Sequence, residues 1–138
     1  MNSQAQNPKL TVTLTGRRPV TITKADWPIM AQAEESIHDG QVECQANVRT
    51  KWALRVRAHA DGRAIVYGTY RYTTQWQGAR DYDIRGGEIG AAGEPLPAII
   101  RRVGEWMQRN LPTDHQEDGE EFGRLINECI ADLPAENI

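Results

Sequence analysis

The stretch from Lys51 to Trp76 constrains this chain more than any other. Trp52, Leu54, Val56 and Ala58 alternate with Lys51, Arg55, Arg57 and His59. A period of two over that length is a strand with one apolar and one polar face. Asp61-Gly62 follows as a turn signal, and Ile65 to Trp76 is rich in β-branched and aromatic residues. A long hairpin is therefore expected, closed by a two-residue turn with Ala60 facing Arg63. That register puts Lys51, Arg55, Arg57 and His59 on one sheet face with Tyr70 and Tyr72. Trp52, Leu54, Val56, Ile65 and Tyr67 then take the opposite face and the core.

The flanking segments extend the pattern. Leu10–Leu14 and Pro19–Thr23 alternate on either side of Gly16-Arg17-Arg18 and predict an N-terminal hairpin. Asp26 before Trp27-Pro28 reads as a helix start, with the helix running to about Ser36 and ending before Asp39-Gly40. Arg80 to Ile89 reads as a third central strand, with Gly86-Gly87 marking a bulge or an early end. Leu96, Ile99, Ile100, Val103 and Met107 form one helical stripe between Pro95 and Pro112. Phe122, Leu125, Ile126, Cys129, Ile130 and Leu133 form another, with Asp118 and Glu121 placed as a capping-box-like entry. The expected order is ββαβββαα, an α+β fold with the helices on one face of an antiparallel sheet. Residues 1–8 read as a polar, disordered tail, 9–134 as a single domain and 135–138 as a short tail.

Composition narrows the class. The 138 residues are 39% hydrophobic and 25% charged, enough for one modest core. No apolar run approaches the roughly 18 to 20 residues that span a bilayer, and residues 1–8 carry no basic-then-apolar signal pattern. A cytoplasmic protein without membrane contact is the expectation. Fifteen basic and eleven acidic residues precede Pro112, whereas eight acidic residues and only Arg124 follow. A mildly basic body thus carries an acidic end, which favours solubility and can also mimic a polyanion. Arginine, which outnumbers lysine, is the better planar donor to carboxylate and phosphate.

Candidate chemistry is sparse. There is no GxSxG, and Cys44 and Cys129 have neither a CxxC partner nor a nearby histidine. Cys129 falls on an apolar helix face and reads as a buried thiol, with a bridge to Cys44 left open. His38, His59 and His115 stand singly on a helix end, a strand and an acidic loop, the usual places of surface histidines. The glycines from Gly86 to Gly93 read as a flexible connection; they lack the Gly-Lys-Ser/Thr ending of a phosphate loop, and Glu88 repels an anion. Asp81 and Asp83 share a strand face with Arg85, roughly 7 Å apart by strand geometry; that spacing suits a divalent ion or an arginine from a partner. No cofactor or metal is expected, and no enzymatic activity.

A binding role remains. Cations interleaved with tyrosines suit a protein interface and, as an alternative, stacked bases and phosphates. The expected contact surface is Lys51, Arg55, Arg57, His59, Tyr70, Tyr72, Asp81 and Asp83. The stretches Gly16–Pro28, His59–Tyr67 and Asp83–Glu88 resemble small uncharacterised proteins of proteobacterial phages and mobile elements, over roughly residues 9 to 107. What the resemblance implies is an accessory factor, such as an anti-defence protein of the anti-CRISPR type, that binds and blocks a larger protein complex. The expected helix–strand–strand–strand–helix run from Asp26 to Met107 is also similar in order to double-stranded-RNA-binding domains. Where those carry a lysine cluster at the start of the closing helix, this chain has Glu94-Pro95-Leu96-Pro97.

Overall fold

The structure is a computed structural model describing residues 7–41, 46–75, 78 and 80–135, with side chains omitted at 39–41 and 46–47. The tail residues 1–6 and 136–138, Trp76 and Cys44 lie outside the described residues. The fold is α+β. Six strands, β1 (Lys9–Val12), β2 (Val20–Thr23), β3 (Ile29–Gln41), β4 (Ala46–Ala58), β5 (Ala64–Thr74) and β6 (Tyr82–Gly90), precede two helices, α1 (Leu96–Asn110) and α2 (Glu120–Asp132). A 3-10 segment, Thr113–Gly119, joins the helices.

β3 to β6 form one antiparallel sheet in chain order, and β1 with β2 forms a separate ribbon. The sheet is sandwiched. On one face Trp52, Leu54, Val56, Val66 and Tyr70 meet Ile99, Ile100, Val103 and Met107 of α1 and Phe122, Leu125, Ile126 and Cys129 of α2. On the other, the ribbon lays Val12, Leu14 and Ile22, with Trp27, over Ile65 and Tyr67. The ribbon covers only that half, so the β3 side of this face stays open.

Four expectations are corrected. The segment after Asp26 is the strand β3, not a helix. Asp26 sits in a turn, its N–H and that of Trp27 donating to the Thr23 carbonyl at 3.0 and 3.2 Å. Ala31 and Ala33 then alternate inward with Gln32 and Glu34 outward. Met30, Ala33 and Ile37 also fit a helical spacing, but β4 needs a partner on its outer side, and pairing along β4 outweighs local propensity. The helix–strand–strand–strand–helix order shared with RNA-binding domains disappears with that helix.

The central turn is also different. The residues Ala60, Asp61 and Gly62 form a three-residue loop closed by the His59 N–H to the Arg63 carbonyl at 2.9 Å. Gly62 takes φ 95°, the left-handed position that such loops require. The extra residue shifts the register by one, so Trp52 faces Tyr70, Lys51 faces Arg71 and Arg57 faces Ile65. A one-residue slip exchanges the faces of an entire strand. Tyr70 and Tyr72 therefore point to the helices, whereas Ile65 and Tyr67 lie beneath the ribbon.

Finally, Gly86 and Gly87 lie within β6 rather than ending it. A Cβ at Gly86 would fall 2.5 Å from the Trp106 ring of α1, so glycine there lets the helix approach the sheet. The Asp118 carboxylate does not cap α2, whose N-terminus has no side-chain cap; it is used by Tyr70 instead.

Candidate binding face

The open half of the ribbon-side face is polar. Residues alternate along each strand, so Gln32, Glu34 and Ser36 of β3 share it with Arg49, Lys51 and Arg55 of β4. Thr69, Arg71, Asp83 and Arg85 continue it across β5 and β6. Two cations are internally matched. Arg55 donates to Glu34 at 2.5 Å and to Gln32 at 3.0 Å. Arg85 grips Asp83 through two hydrogen bonds, at 3.0 and 2.9 Å; this pairing holds the Asp83 carboxyl below the usual carboxylate range despite partial burial.

Lys51 and Arg71 are not so matched. They are exposed and directly opposite each other across β4 and β5, an arrangement that costs stability. Arg49 lies two residues along β4 on the same face, beside a shallow hollow lined by Thr73, Thr74 and Gln75. Among the described residues, no carboxylate stands within ion-pair distance of Arg49, Lys51 or Arg71. Asp83 is the cross-strand neighbour of Arg71, but its oxygens are committed to Arg85.

The expected site residues thus divide. Lys51, Arg55 and Asp83 lie on the open face. Arg57 shares the parity but is buried under the ribbon, its Nε donating to the Tyr67 hydroxyl at 2.9 Å and Nη1 to the Trp27 carbonyl at 3.1 Å. His59 sits at the loop rim, 4.9 Å from the Trp27 ring, with Nδ1 beside Asp61. Asp81 lies just before β6 and accepts the Thr74 N–H at 3.0 Å, so it does not form a pair with Asp83. Among the described residues no group of three metal-capable side chains comes together.

Tyr70 and Tyr72 belong to a different cluster, between the sheet and the 3-10 segment. The Tyr70 hydroxyl donates to Oδ2 of Asp118 at 2.6 Å. Its oxygen lies 3.1 Å from Nδ1 of His115. A hydroxyl has one proton, so Nδ1 of His115 is the donor in the second bond. The Tyr72 and Tyr82 rings flank His115 at 4.3 and 4.9 Å, and Trp52 Nε1 donates to the Asp118 carbonyl at 2.9 Å. Burial and the neighbouring Asp118 push the Tyr70 hydroxyl far above its ordinary range. It is a fixed donor, and the network clamps the 3-10 segment to the sheet.

Sequence reasoning missed Arg71, which the two-residue turn assigned to the core side. It also missed Arg49 and Arg85 as members of one face, and the embedding of His115. The signal for Arg71 was its spacing from Lys51 about the turn, and only the loop length decides it. Comparison with known proteins found no matching family model, no matching curated protein and no matching solved structure.

Proposed function

We propose that this protein is a non-enzymatic binding protein that docks through its open sheet face onto an acidic surface of a protein partner. The observation that carries the reading is the juxtaposition of Lys51 and Arg71, with Arg49 beside them. Like charges held directly opposite are costly in the free protein, and an incoming carboxylate removes that cost while gaining charge-assisted hydrogen bonds. The buried chemical groups support a binding role rather than catalysis. Tyr70 is a committed donor, and burial pushes the free Cys129 thiol up to about 12, so it stays protonated at neutral pH. In its sharper form, the partner is a protein complex that an accessory factor of a mobile element blocks.

The same cations suit phosphates, but two features favour a protein. Tyr70 and Tyr72 face the helices and offer no stacking platform beside the cations. Glu34 and Asp83 already engage Arg55 and Arg85, so the cations left to an anion are the small group Arg49, Lys51 and Arg71, which matches a local acidic patch of a protein better than a long polyanionic backbone.

The test is fluorescence anisotropy with a labelled glutamate-rich peptide, single-stranded DNA, duplex DNA and duplex RNA over a salt series. The peptide should bind at low salt, and Arg49→Glu with Lys51→Glu and Arg71→Glu should remove that binding with the fold retained. Failure of the peptide to bind, or binding unaffected by the triple change, overturns the reading. Tighter binding of a nucleic acid with a steep salt slope replaces it with the alternative.

A further inference from the structure

The exposed cations of the open face stand among hydroxyls. The register sets Arg49 opposite Thr73 and Lys51 opposite Arg71, and alternation puts all four on the same face. Directly opposite residues lie roughly 5 Å apart, and residues two along a strand roughly 7 Å apart. Arg49, Lys51, Arg71 and Thr73 therefore mark the corners of one small rectangle, and the shallow hollow beside Arg49 lies at its Thr73 corner. Ser36 of β3 stands beside the Lys51 corner, as the other cross-strand neighbour of that lysine. Among the described residues neither the Ser36 nor the Thr73 hydroxyl has a hydrogen-bond partner. The nearest carboxylates of the face do not neutralise the patch: Asp83 holds Arg85 with both oxygens, and Glu34 holds Arg55.

Resting on the reading of this face as a dock for an acidic protein surface, we propose that the group it selects is a phosphorylated serine or threonine side chain of the partner. Charge complementarity carries the choice. A carboxylate brings one charge and answers one of the three cations. Two carboxylates on one face of a partner strand stand as far apart as Arg49 and Lys51 do, so they do not concentrate charge at one point. A phosphomonoester carries about −1.5 to −2 charge at pH 7 and three strong acceptor oxygens on a single phosphorus. Its charge answers two cations at once, and a planar guanidinium takes two of its oxygens together. Hydroxyls at Thr73 and Ser36 supply further donors to the same group. The hollow is shallow, which suits the short linkage of serine or threonine. Phosphorylation of the partner then switches docking on.

Fluorescence anisotropy of the full chain at fixed ionic strength, with three labelled peptides, tests this selection. The peptides share glutamate-rich flanks and differ at one central residue, which is serine, glutamate or phosphoserine. The phosphoserine peptide should bind at least about tenfold more tightly than the glutamate peptide, the factor that one added charge-assisted hydrogen bond supplies. Arg49→Glu with Lys51→Glu and Arg71→Glu should abolish binding of both. Thr73→Val with Ser36→Ala should cut the phosphoserine preference at least about threefold, with an unchanged far-ultraviolet circular dichroism spectrum. Equal affinities for the glutamate and phosphoserine peptides, both lost in the triple variant, overturn the proposal and leave the acidic-partner reading standing. Binding of none of the peptides overturns both. A preference that persists in the triple variant, or is untouched by Thr73→Val with Ser36→Ala, also overturns the proposal; if that double variant fails to fold, the wild type and the triple variant decide.

Discussion

Replacing Lys51 by glutamate should make the protein more stable while weakening its binding. In the wild type Lys51 faces Arg71 across two strands, a repulsive pair of exposed cations; the substitution makes it attractive. Cross-strand pairs contribute about 0.2 to 1 kcal/mol, and like charges destabilise to a similar extent. The exchange is therefore worth on the order of 1 kcal/mol, reduced to about 0.5 kcal/mol where solvent screens both groups. Asp83 on the far side of Arg71 already offsets part of the repulsion, which argues for the lower half of that range. A chain of 138 residues has an unfolding entropy of roughly 0.3 kcal/mol per degree, from about 2.1 cal/mol/K per residue. The predicted rise in Tm is then about 2 to 3 °C. Differential scanning calorimetry at low salt should record it. In 1 M salt, where the screening length falls to about 3 Å, the difference should largely vanish. Lys51→Gln, which only removes the repulsion, should give about half the effect. A Tm that falls, or one that rises equally at both salt concentrations, refutes the electrostatic argument.

Other consequences follow from the interior. Tyr70→Phe leaves Asp118 and His115 without their shared partner and should cost about 1 to 3 kcal/mol in urea unfolding; a neutral result would mean that the clamp on the 3-10 segment is not made. Gly104→Ala gains up to about 1 kcal/mol of helix propensity. Its new Cβ would fall 2.3 Å from Ile126 Cγ1, however, and overpacking of about 1 to 3 kcal/mol should win, lowering the urea midpoint. Cys129 ionises at about 12 in the folded protein against 9.0 ordinarily, so the unfolded chain loses this proton first as pH rises. Stability should be unaffected by this group below about pH 9 and fall from there towards pH 12. Thermal melts of Cys129→Ala should show a shallower decline over that range, and an identical decline would contradict the assignment.

The elements carried by strong periodicity were legible in the sequence. The two stripes, Leu96 to Met107 and Phe122 to Leu133, became α1 and α2, and the alternation around Trp52 and around Leu10 became strands. Each buries an apolar face whose spacing leaves one regular solution. Two failures had physical causes. β3 mixes Ala31 and Ala33 with glutamates, and such residues suit a helix as well as a strand; the need of β4 for an outer neighbour decided it. The register failed at one glycine. Asp61-Gly62 serves equally as a two-residue turn or as the end of a three-residue loop, and that single position determines which side chains join Lys51.

The candidate site was legible by half for the same reason. Lys51, Arg55 and Asp83 lie on the open face as alternation requires. Arg57 also keeps its parity, but burial depends on where the β1–β2 ribbon lands, which no local pattern encodes. Tyr70 and Tyr72 changed faces with the register. His115 read as a lone loop histidine because its contacts with Tyr70, Tyr72 and Tyr82 span more than thirty residues of chain.

The most direct measurement for the proposed binding face is amide chemical-shift mapping of isotope-labelled protein titrated with the glutamate-rich peptide. The account predicts shifts clustered at Arg49, Lys51, Thr69, Arg71 and Arg85, with α1 and α2 unmoved. Shifts confined to the helices or the ribbon, or none at saturating peptide and low salt, would contradict it.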